Sequence, residues 1–208
     1  MTDRKPVIEL HEGDLPAGIS FGNSVAVDTE TTGLHPHRDR LCLVQLSAGD
    51  GVCHLVRIHR DRDAANLKAL FADPAVVKIF HFARFDVTMI RRHLGVDCRP
   101  VYCTRIASRL ARTYTQSHGL KDCCKELLGI EISKEQQSSD WAAAELSPAQ
   151  RVYAATDVLH LHALRDRLDA MLAREGRRDL ARACFDFLGT RAELDLGGWA
   201  DEDIFSHS

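Results

Sequence analysis

The stretch SVAVDTE, residues 24–30, is rich in valine and alternates in side-chain character, which predicts a β-strand. Because successive side chains of a strand point to opposite faces, Asp28 and Glu30 are expected on the same face. The chain continues TTGL, residues 31–34, which gives the pattern Asp-x-Glu-x-x-Gly-Leu. Two carboxylates placed in this way can converge on one cation. Taken alone, such a pair is more often a solvated strand end before a turn.

The segments around this strand predict an α/β fold. Two strand-like segments follow it, separated by the turn Gly49-Asp50-Gly51, so the three together indicate an antiparallel meander. Alternating helices and strands come next, which indicates a mixed five-stranded sheet flanked by helices. The predicted strands are residues 24–30, 41–47, 52–58, 76–80 and about 100–103, and residues 7–10 could form a further short one.

Helix signals are strongest after residue 146. Ser147 is expected to be the N-cap residue, Pro148 takes the first helical position, and Gln150 completes a capping box. This helix is predicted to run to about residue 174. The other predicted helices cover residues 64–72, 84–94, from about 104 to 110, 117–129 and 177–188.

Composition indicates a globular protein. The 208 residues are 45% hydrophobic and 27% charged, so we expect a single domain, residues 1–208. Its motif core covers about 20–175, and a C-terminal helix and tail cover 176–208. No run is long enough to cross a bilayer and no secretory signal is present, so no membrane partner is expected. Seven cysteines without CxxC spacing favour free thiols in the cytoplasm.

The net charge is low for a protein that binds long nucleic acid. It is −3, whereas proteins that neutralise many phosphates usually carry a basic excess. If the substrate is a nucleic acid, we therefore expect contacts to few phosphates at once.

Two further segments carry acidic residues. Residues 81–86, HFARFD, follow a predicted strand and place Asp86 in the first turn of a helix, where a carboxylate interacts favourably with the helix dipole. Residues 153–157, YAATD, lie in the helix that begins at Ser147. The i, i+4 spacing puts Tyr153 and Asp157 on one face. Each segment alone has an ordinary structural explanation.

Together the three segments predict a metal-dependent catalytic site. Hard cations such as Mg²⁺ bind oxygen ligands, and two of them about 3.5–4 Å apart stabilise the attacking and leaving oxygens of a phosphodiester displacement. Clustered carboxylates repel one another unless a cation lies between them. The predicted catalytic residues are Asp28, Glu30, Asp86, Tyr153 and Asp157, and the four carboxylates are the predicted metal ligands.

In their order along the chain, the three segments resemble the motifs of the DEDDy 3′→5′ exonuclease family over about residues 20–175. The resemblance implies a ribonuclease-H-like fold and two divalent cations, Mg²⁺ or Mn²⁺. It implies that Asp28, Glu30 and Asp157 hold the cation that activates the water. Asp28 would bridge to the second cation, supported by Asp86. Tyr153 would position the water, since a phenol of pKa near 10 is a poor base at neutral pH.

Within that family the chain is similar to ribonuclease D in residues 138–141 and 146–150. It is similar above all to the short, stand-alone nano-RNase C group. Too few residues follow the third motif for the helical nucleic-acid-binding domains of full-length ribonuclease D. The resemblance implies hydrolysis of diribonucleotides and very short RNA by a homo-oligomer, an octamer in that group. Some relatives act on DNA 3′ ends, which keeps the identity of the substrate open.

The C-terminal tail bears on the oligomer. Trp199, Ile204 and Phe205 follow the last predicted helix in an acidic segment, and burying such side chains is favourable by about 1.5–3 kcal/mol each. They are expected to dock on their own subunit or on a neighbour. The resemblance to an octameric group favours the neighbour.

Substrate contacts are expected near the motifs. Leu34, after Gly33, matches the residue that family members insert between the last two bases, although inward packing explains it equally well. His81 is expected near the 3′ end of the substrate, or else packed and hydrogen-bonded. The expected substrate-binding residues are Thr29, Gly33, Leu34, His81, Arg112, His118, Lys134, Gln137 and Ser138. The candidates for binding a terminal phosphate are Arg112, His118, Lys134, Gln137 and Ser138. For each of them alone, a solvated surface role is the alternative.

Two other functions are compatible with the sequence. One is a general 3′→5′ exonuclease on longer RNA or on DNA 3′ ends. The other is an inactive exonuclease fold that serves as a nucleic-acid-binding or scaffold module. The presence of all four carboxylates and of Tyr153 argues against inactivity.

Overall fold

A mixed sheet of six strands forms the centre of the computed structural model, which describes residues 6–133, 135–136 and 138–207. The strands are β1 (Val7–Glu12), β2 (Ser24–Thr31), β3 (Leu41–Ser47), β4 (Val52–Arg57), β5 (Val77–Phe80) and β6 (Val101–Cys103). Their order across the sheet is β1-β4-β3-β2-β5-β6. The predicted antiparallel meander consists of β2, β3 and β4. The other pairs are parallel: β1 with β4, β5 with β2, and β6 with β5.

The strand count differs from the prediction of five because β1 joins the sheet at the edge beside β4. The candidate strand at residues 7–10 extends to Glu12 and pairs with β4 from Val7↔Val52 to Glu12↔Arg57. A parallel partner that is distant in sequence leaves no local signal, since no tight turn connects the two strands. The prediction of five strands was therefore one short.

Helices follow the predicted order, with one predicted helix divided and one helix added at the C-terminal end. They are α1 (Ala65–Ala72), α2 (Ala83–Leu94), α3 (Thr104–Ala111), α4 (Leu120–Cys123), α5 (Pro148–Leu159), α6 (Leu161–Arg174), α7 (Arg178–Asp186) and α8 (Leu188–Leu196). A π-helical segment, Cys124–Leu128, continues α4. The helix predicted to run to about 174 breaks at His160, where φ is −105° and ψ is −4°. The helix predicted at 177–188 is α7, whereas α8 lies beyond the predicted bound and was not predicted. No glycine or proline separates α5 from α6 or α7 from α8.

One hydrophobic core joins these elements. All seven residues of β3 are buried, and α5 packs across β2, β3 and β4. The same core includes Phe185 of α7 and Leu188 of α8, so the C-terminal helices belong to the body that holds the sheet. None of the helices in the described part of the chain is long and apolar enough to cross a membrane.

Candidate active site

Asp28 and Glu30 lie near the end of β2, where alternation directs both side chains to one face. Asp157 approaches them from α5. One carboxylate oxygen from each of the three residues lies within 4.8 Å of the others. The register of β2 against β3 shifts between Glu30 and Thr31, so the chain leaves the regular ladder just after the pair. Carboxylates far apart in sequence thus converge on one point.

The start of α5 determines where Tyr153 and Asp157 stand. Ser147 Oγ accepts a hydrogen bond from Gln150 N at 3.2 Å, and Ser147 N donates to Gln150 Oε1 at 2.9 Å, which completes the predicted capping box. The Tyr153 hydroxyl interacts with the Asp157 carboxyl group, one turn later. The Tyr153 ring lies 6.0 Å from that of buried Trp141. The cap therefore fixes the residue at which the helix begins, and with it the face that carries both groups.

Asp86 approaches from the other side of β2. It lies in the first turn of α2 and is only 4% exposed. Thr29, whose side chain points away from the face of Asp28 and Glu30, donates a 2.6 Å hydrogen bond from Oγ1 to Asp86 Oδ1. Alternation along β2 therefore brings carboxylates from both sides of the sheet to one strand end.

Burial and mutual repulsion raise the pKa values of these carboxyl groups. Burial, followed by the charges of Asp86, Asp157 and Glu30, raises the pKa of Asp28 well above its ordinary value. Burial, Asp157 and Asp86 raise the pKa of Glu30 to about 9. Burial raises the pKa of Asp86 to about 7, although the hydrogen bond from Thr29 opposes the shift. Buried oxygen donors that repel one another when ionised fit a hard divalent cation, whose charge offsets the repulsion.

A cavity of about 550 Å³ opens beside these carboxylates. Of the residues expected to contact substrate, five line it: Thr29, Gly33, Leu34, His81 and Ser138. Arg112 and His118 are not among its lining residues. Lys134 and Gln137 lie outside the described residues.

Leu34 projects at the mouth of this cavity and is 77% exposed. A Cβ atom on Gly33 would overlap Oδ2 of Asp39, so only glycine permits the loop to approach this closely. The same Asp39 oxygen accepts a hydrogen bond from His35 N at 2.9 Å and pairs with Arg38. The loop thus holds Leu34 outward, whereas the sequence left inward packing equally open.

Arg112 and His118 take part in a buried polar network between α3 and α4. The Arg112 guanidinium is fully buried, pairs with Glu126 and donates to the Ser117 carbonyl oxygen at 2.8 Å. Arg112 also donates to Ser108 Oγ at 2.9 Å, and the same Oγ lies 2.9 Å from His118 Nδ1. These groups connect α3 to the segment that contains α4 and the π-helical turn. A sequence pattern does not reveal that burial.

His81 is held at the cavity wall through its ring. The Thr104 hydroxyl donates to the Phe80 carbonyl oxygen at 3.1 Å, so it accepts from Nδ1 of His81 at 2.8 Å. This arrangement fixes both the ring orientation and the tautomer of His81. Phe82 follows in the left-handed conformation, with φ of 74°, which is unusual for an aromatic residue.

Several residues that line the cavity were not predicted from the sequence: Phe82, Phe85, Arg105, Lys121, Ser139 and Trp141. Phe82 and Phe85 stand within the segment that carries Asp86, and that position was the signal that could have found them. The Arg105 guanidinium lies 4.9 Å from the centre of the Phe82 ring, a cation–π arrangement between distant segments. The sequence around either residue does not predict such a contact.

A family model described as 3′-5′ exonuclease matches residues 14–173. The chain belongs to this exonuclease family. Ribonuclease D from Acidiphilium cryptum is 37% identical over 155 residues, which cover 74% of this chain and 39% of the relative. DNA polymerase I from Aquifex aeolicus is 34% identical over 154 residues, which cover 72% of this chain and 25% of that relative. This exonuclease chain therefore spans about two-fifths of the ribonuclease D relatives that it matches.

Solved structures extend the likeness of this exonuclease to nearly the whole chain. NrnC from Brucella melitensis bound to pGG is 53% identical, with a TM-score of 0.94 over 98% of this chain and 100% of that one. The same protein with bound Mg²⁺ is 52% identical, with a TM-score of 0.93 over 97% of this chain and 100% of that one. Escherichia coli RNase D is 25% identical, with a TM-score of 0.74 over 82% and 45%. The predicted ribonuclease-H-like fold and family are confirmed.

Proposed function

We propose that the chain is a two-metal-ion 3′→5′ exoribonuclease that hydrolyses diribonucleotides and very short RNA to nucleoside 5′-monophosphates. One observation carries this proposal. Carboxylate oxygens of Asp28, Glu30 and Asp157 lie within 4.8 Å of one another on the wall of an open cavity. Folding alone disfavours such a cluster, and membership of the 3′-5′ exonuclease family supports a catalytic purpose for it.

Asp28, Glu30 and Asp157 would hold one divalent cation, Mg²⁺ or Mn²⁺, and Asp28 and Asp86 would hold a second. The Brucella NrnC structure with bound Mg²⁺ supports this choice. Bound there, such cations lower the pKa of water and offset the charge that develops on phosphate oxygens. Because every proposed ligand is a carboxylate, the site suits hard cations better than soft ones.

Tyr153 would position the attacking water. Burial, followed by the charges of Asp157 and Glu30, raises the pKa of Tyr153 further above its ordinary value, so the phenol keeps its proton at neutral pH. It therefore acts as a hydrogen-bond partner and not as a base, and Asp157 holds its hydroxyl in place. Thr29 would position Asp86 through their 2.6 Å hydrogen bond, and because Thr29 also lines the cavity it stays a proposed substrate contact.

The surroundings of the carboxylates favour a short substrate. Leu34 and Phe82 expose apolar side chains at the cavity, where they can pack against the last bases. Among the described residues lining the cavity, Arg105 and Lys121 carry the positive charge, enough for few phosphates. The Brucella NrnC structure with pGG, a two-base ligand, supports the same conclusion.

We assign the terminal phosphate to Arg105, Lys121 and Ser138, and His81 to the 3′ end of the substrate. Lys134 and Gln137 remain proposed phosphate contacts from the sequence alone. Arg112 and His118 would act indirectly, by supporting the wall from behind.

The test is hydrolysis of 5′-phosphorylated RNA of two, three and seven nucleotides, and of a DNA dinucleotide, with Mg²⁺, with Mn²⁺ or with chelator. We expect metal-dependent release of monophosphates, fastest from the RNA dinucleotide. Faster cleavage of longer RNA or of DNA would favour the general exonuclease, as the DNA polymerase I relative suggests. Binding without hydrolysis would favour an inactive module. Asp28→Asn is the matched control for contaminating nucleases.

We further propose a homo-oligomer in which neighbouring copies cover the apolar surface beside the C-terminal tail. Phe205 lies 6.1 Å from the Phe187 ring of its own chain yet stays 77% exposed, and Trp199 stays 45% exposed. An adjoining cavity of about 600 Å³ includes Phe82, Phe187 and Phe205 in its lining. Walls from adjacent subunits would keep long RNA away from the carboxylates.

Light scattering tests the assembly. The full chain should have the mass of several copies, eight being the number expected, and a variant truncated after Gly198 should be smaller. A monomeric full-length protein would contradict the assembly. Equal masses would show that the tail does not hold it together.

We also propose that the chain acts as a single domain in the cytoplasm. Core residues of α7 and α8 belong to the same hydrophobic core as the sheet, and all seven cysteines are free thiols, as in a reducing compartment. Cooperative unfolding with one transition by two probes, and recovery in the soluble fraction after lysis, are the expected results.

A further inference from the structure

A second group of ligand-type side chains lies on the sheet face opposite to Asp28 and Glu30. Glu9 and His11 are two residues apart on β1, so their side chains share a face. His54 stands beside Glu9 in the register of β1 and β4. Leu55, the next residue of β4, pairs with Gln45, which in turn pairs with Asp28. The three residues therefore point away from the candidate active site.

Their donor atoms converge on one another. His11 Nε2 lies 3.1 Å from His54 Nδ1, and Glu9 Oε2 lies 3.2 Å from His54 Nδ1 and 3.9 Å from His11 Nε2. The point in the plane of these three atoms that is equidistant from them is about 2.0 Å from each, so an ion displaced slightly out of that plane has zinc–nitrogen and zinc–oxygen bond lengths of about 2.0–2.2 Å. A hydrogen bond between the imidazoles and an ion pair between Glu9 and His54 account for these contacts without a metal, and a bound cation would replace both.

The surroundings hold the imidazoles and leave one side open. The rings of His11 and His54 stack at 5.4 Å, and the Phe21 ring meets His54 edge-on at 5.7 Å. The side chains of His11 and His54 are only 14% and 12% exposed, whereas that of Glu9 is 48% exposed. An ion at the centre would thus be held by rigid nitrogens on the protein side and remain accessible from solvent for a fourth ligand.

We propose that Glu9, His11 and His54 form a site for a borderline transition-metal ion, Zn²⁺ in the first place, separate from the carboxylate site. Two imidazoles and one carboxylate are a donor set that zinc takes in proteins, whereas Mg²⁺ prefers an all-oxygen set. Because the ligands come from β1 and β4, the ion would join the edge strand to the sheet. It would bind the folded chain alone and so raise its thermal stability.

The experiment titrates the full-length protein with ZnCl₂ by calorimetry in excess Mg²⁺ and follows the melting temperature in parallel. Co²⁺ then replaces Zn²⁺ as a spectroscopic probe of tetrahedral nitrogen ligation. The variants are His11→Gln and Glu9→Gln. The Glu9 side chain is half exposed, so its replacement should not impair folding. His59→Gln is the matched control, because His59 forms a comparable pair with Glu12 at 2.6 Å on the same sheet edge.

We expect one zinc per chain, at least about tenfold weaker binding in His11→Gln and in Glu9→Gln, and no change in His59→Gln. Zinc should raise the melting temperature of the wild type and of the His59→Gln control, but not that of His11→Gln or Glu9→Gln. The Asp28→Asn variant separates the two sites, since zinc binding at Glu9, His11 and His54 should survive it. Binding lost in Asp28→Asn, or equal in His11→Gln and His59→Gln, would overturn the proposal.

Discussion

Replacing Glu30 by glutamine should flatten the pH dependence of the stability of the metal-free protein. Burial and the neighbouring carboxylates raise the pKa of Glu30 to about 9 in the folded chain, against 4.5 for an unperturbed glutamate. Below about pH 4.5 the group is protonated in both states. As the pH rises towards 9 the unfolded chain releases the proton and the folded chain keeps it. The free energy of unfolding therefore falls through that range.

The size of the effect follows from the shift. A group that is protonated only in the folded state lowers the free energy of unfolding by about 1.4 kcal/mol per pH unit. Between pH 5.5 and 8.0 this amounts to about 3 kcal/mol. Because Glu30 opens onto a cavity, screening by solvent reduces the expected value to about 2 kcal/mol. Glutamine keeps the size of the side chain and cannot ionise, so Glu30→Gln should lose this decrease.

Urea denaturation with chelator, at constant ionic strength and several pH values, measures the slope. Exposed Glu145 provides the control, because Glu145→Gln should keep the wild-type slope. Mg²⁺ added at pH 8 should stabilise the wild type more than Glu30→Gln, since the cation binds the ionised cluster of the folded chain. Equal slopes for the wild type and Glu30→Gln would refute the repulsion between buried carboxylates.

Asp157→Asn should abolish hydrolysis and leave the urea midpoint in chelator unchanged or higher; substantial residual activity would remove Asp157 from the site. Tyr153→Phe should slow single-turnover hydrolysis by roughly 10²–10³-fold, the loss typical of one positioning contact, and an unchanged rate would exclude the hydroxyl. Ser147→Ala should lower the free energy of unfolding by about 1 kcal/mol in urea, because the capping box is lost. Gly33→Ala should raise KM for a dinucleotide more than it lowers kcat, because Asp39 must move; an unchanged KM would show that the loop does not bind substrate.

The sequence predicted the parts of the site that depend on local geometry. Strand alternation placed Asp28 and Glu30 together, and the capping box with i, i+4 spacing placed Tyr153 beside Asp157. The meander and the order of helices followed from turn residues and periodicity in the same way. Each of these inferences needs only a few consecutive residues.

What the sequence did not predict depends on contacts between distant segments. Strand β1 pairs with β4 more than forty residues later in the chain. Arg112 meets its partner Glu126 only once α3 and the π-helical segment after α4 are packed together. Phe82 lines the cavity through a left-handed backbone conformation that its residue type disfavours. Burial and unusual dihedral angles depend on contacts throughout the fold, so they cannot be predicted from residue type and spacing in a short segment.

The loop that carries Leu34 is bonded internally at several points. Thr32 N donates to the Arg40 carbonyl oxygen at 3.0 Å, and Arg40 N donates to Thr32 Oγ1 at 2.9 Å, so both ends of the loop are joined. The conformational entropy of these residues is therefore lost when the chain folds and not when a ligand arrives. A nucleotide that packs against Leu34 meets a surface already in place, and even a ligand with few contacts can be bound without a large ordering cost.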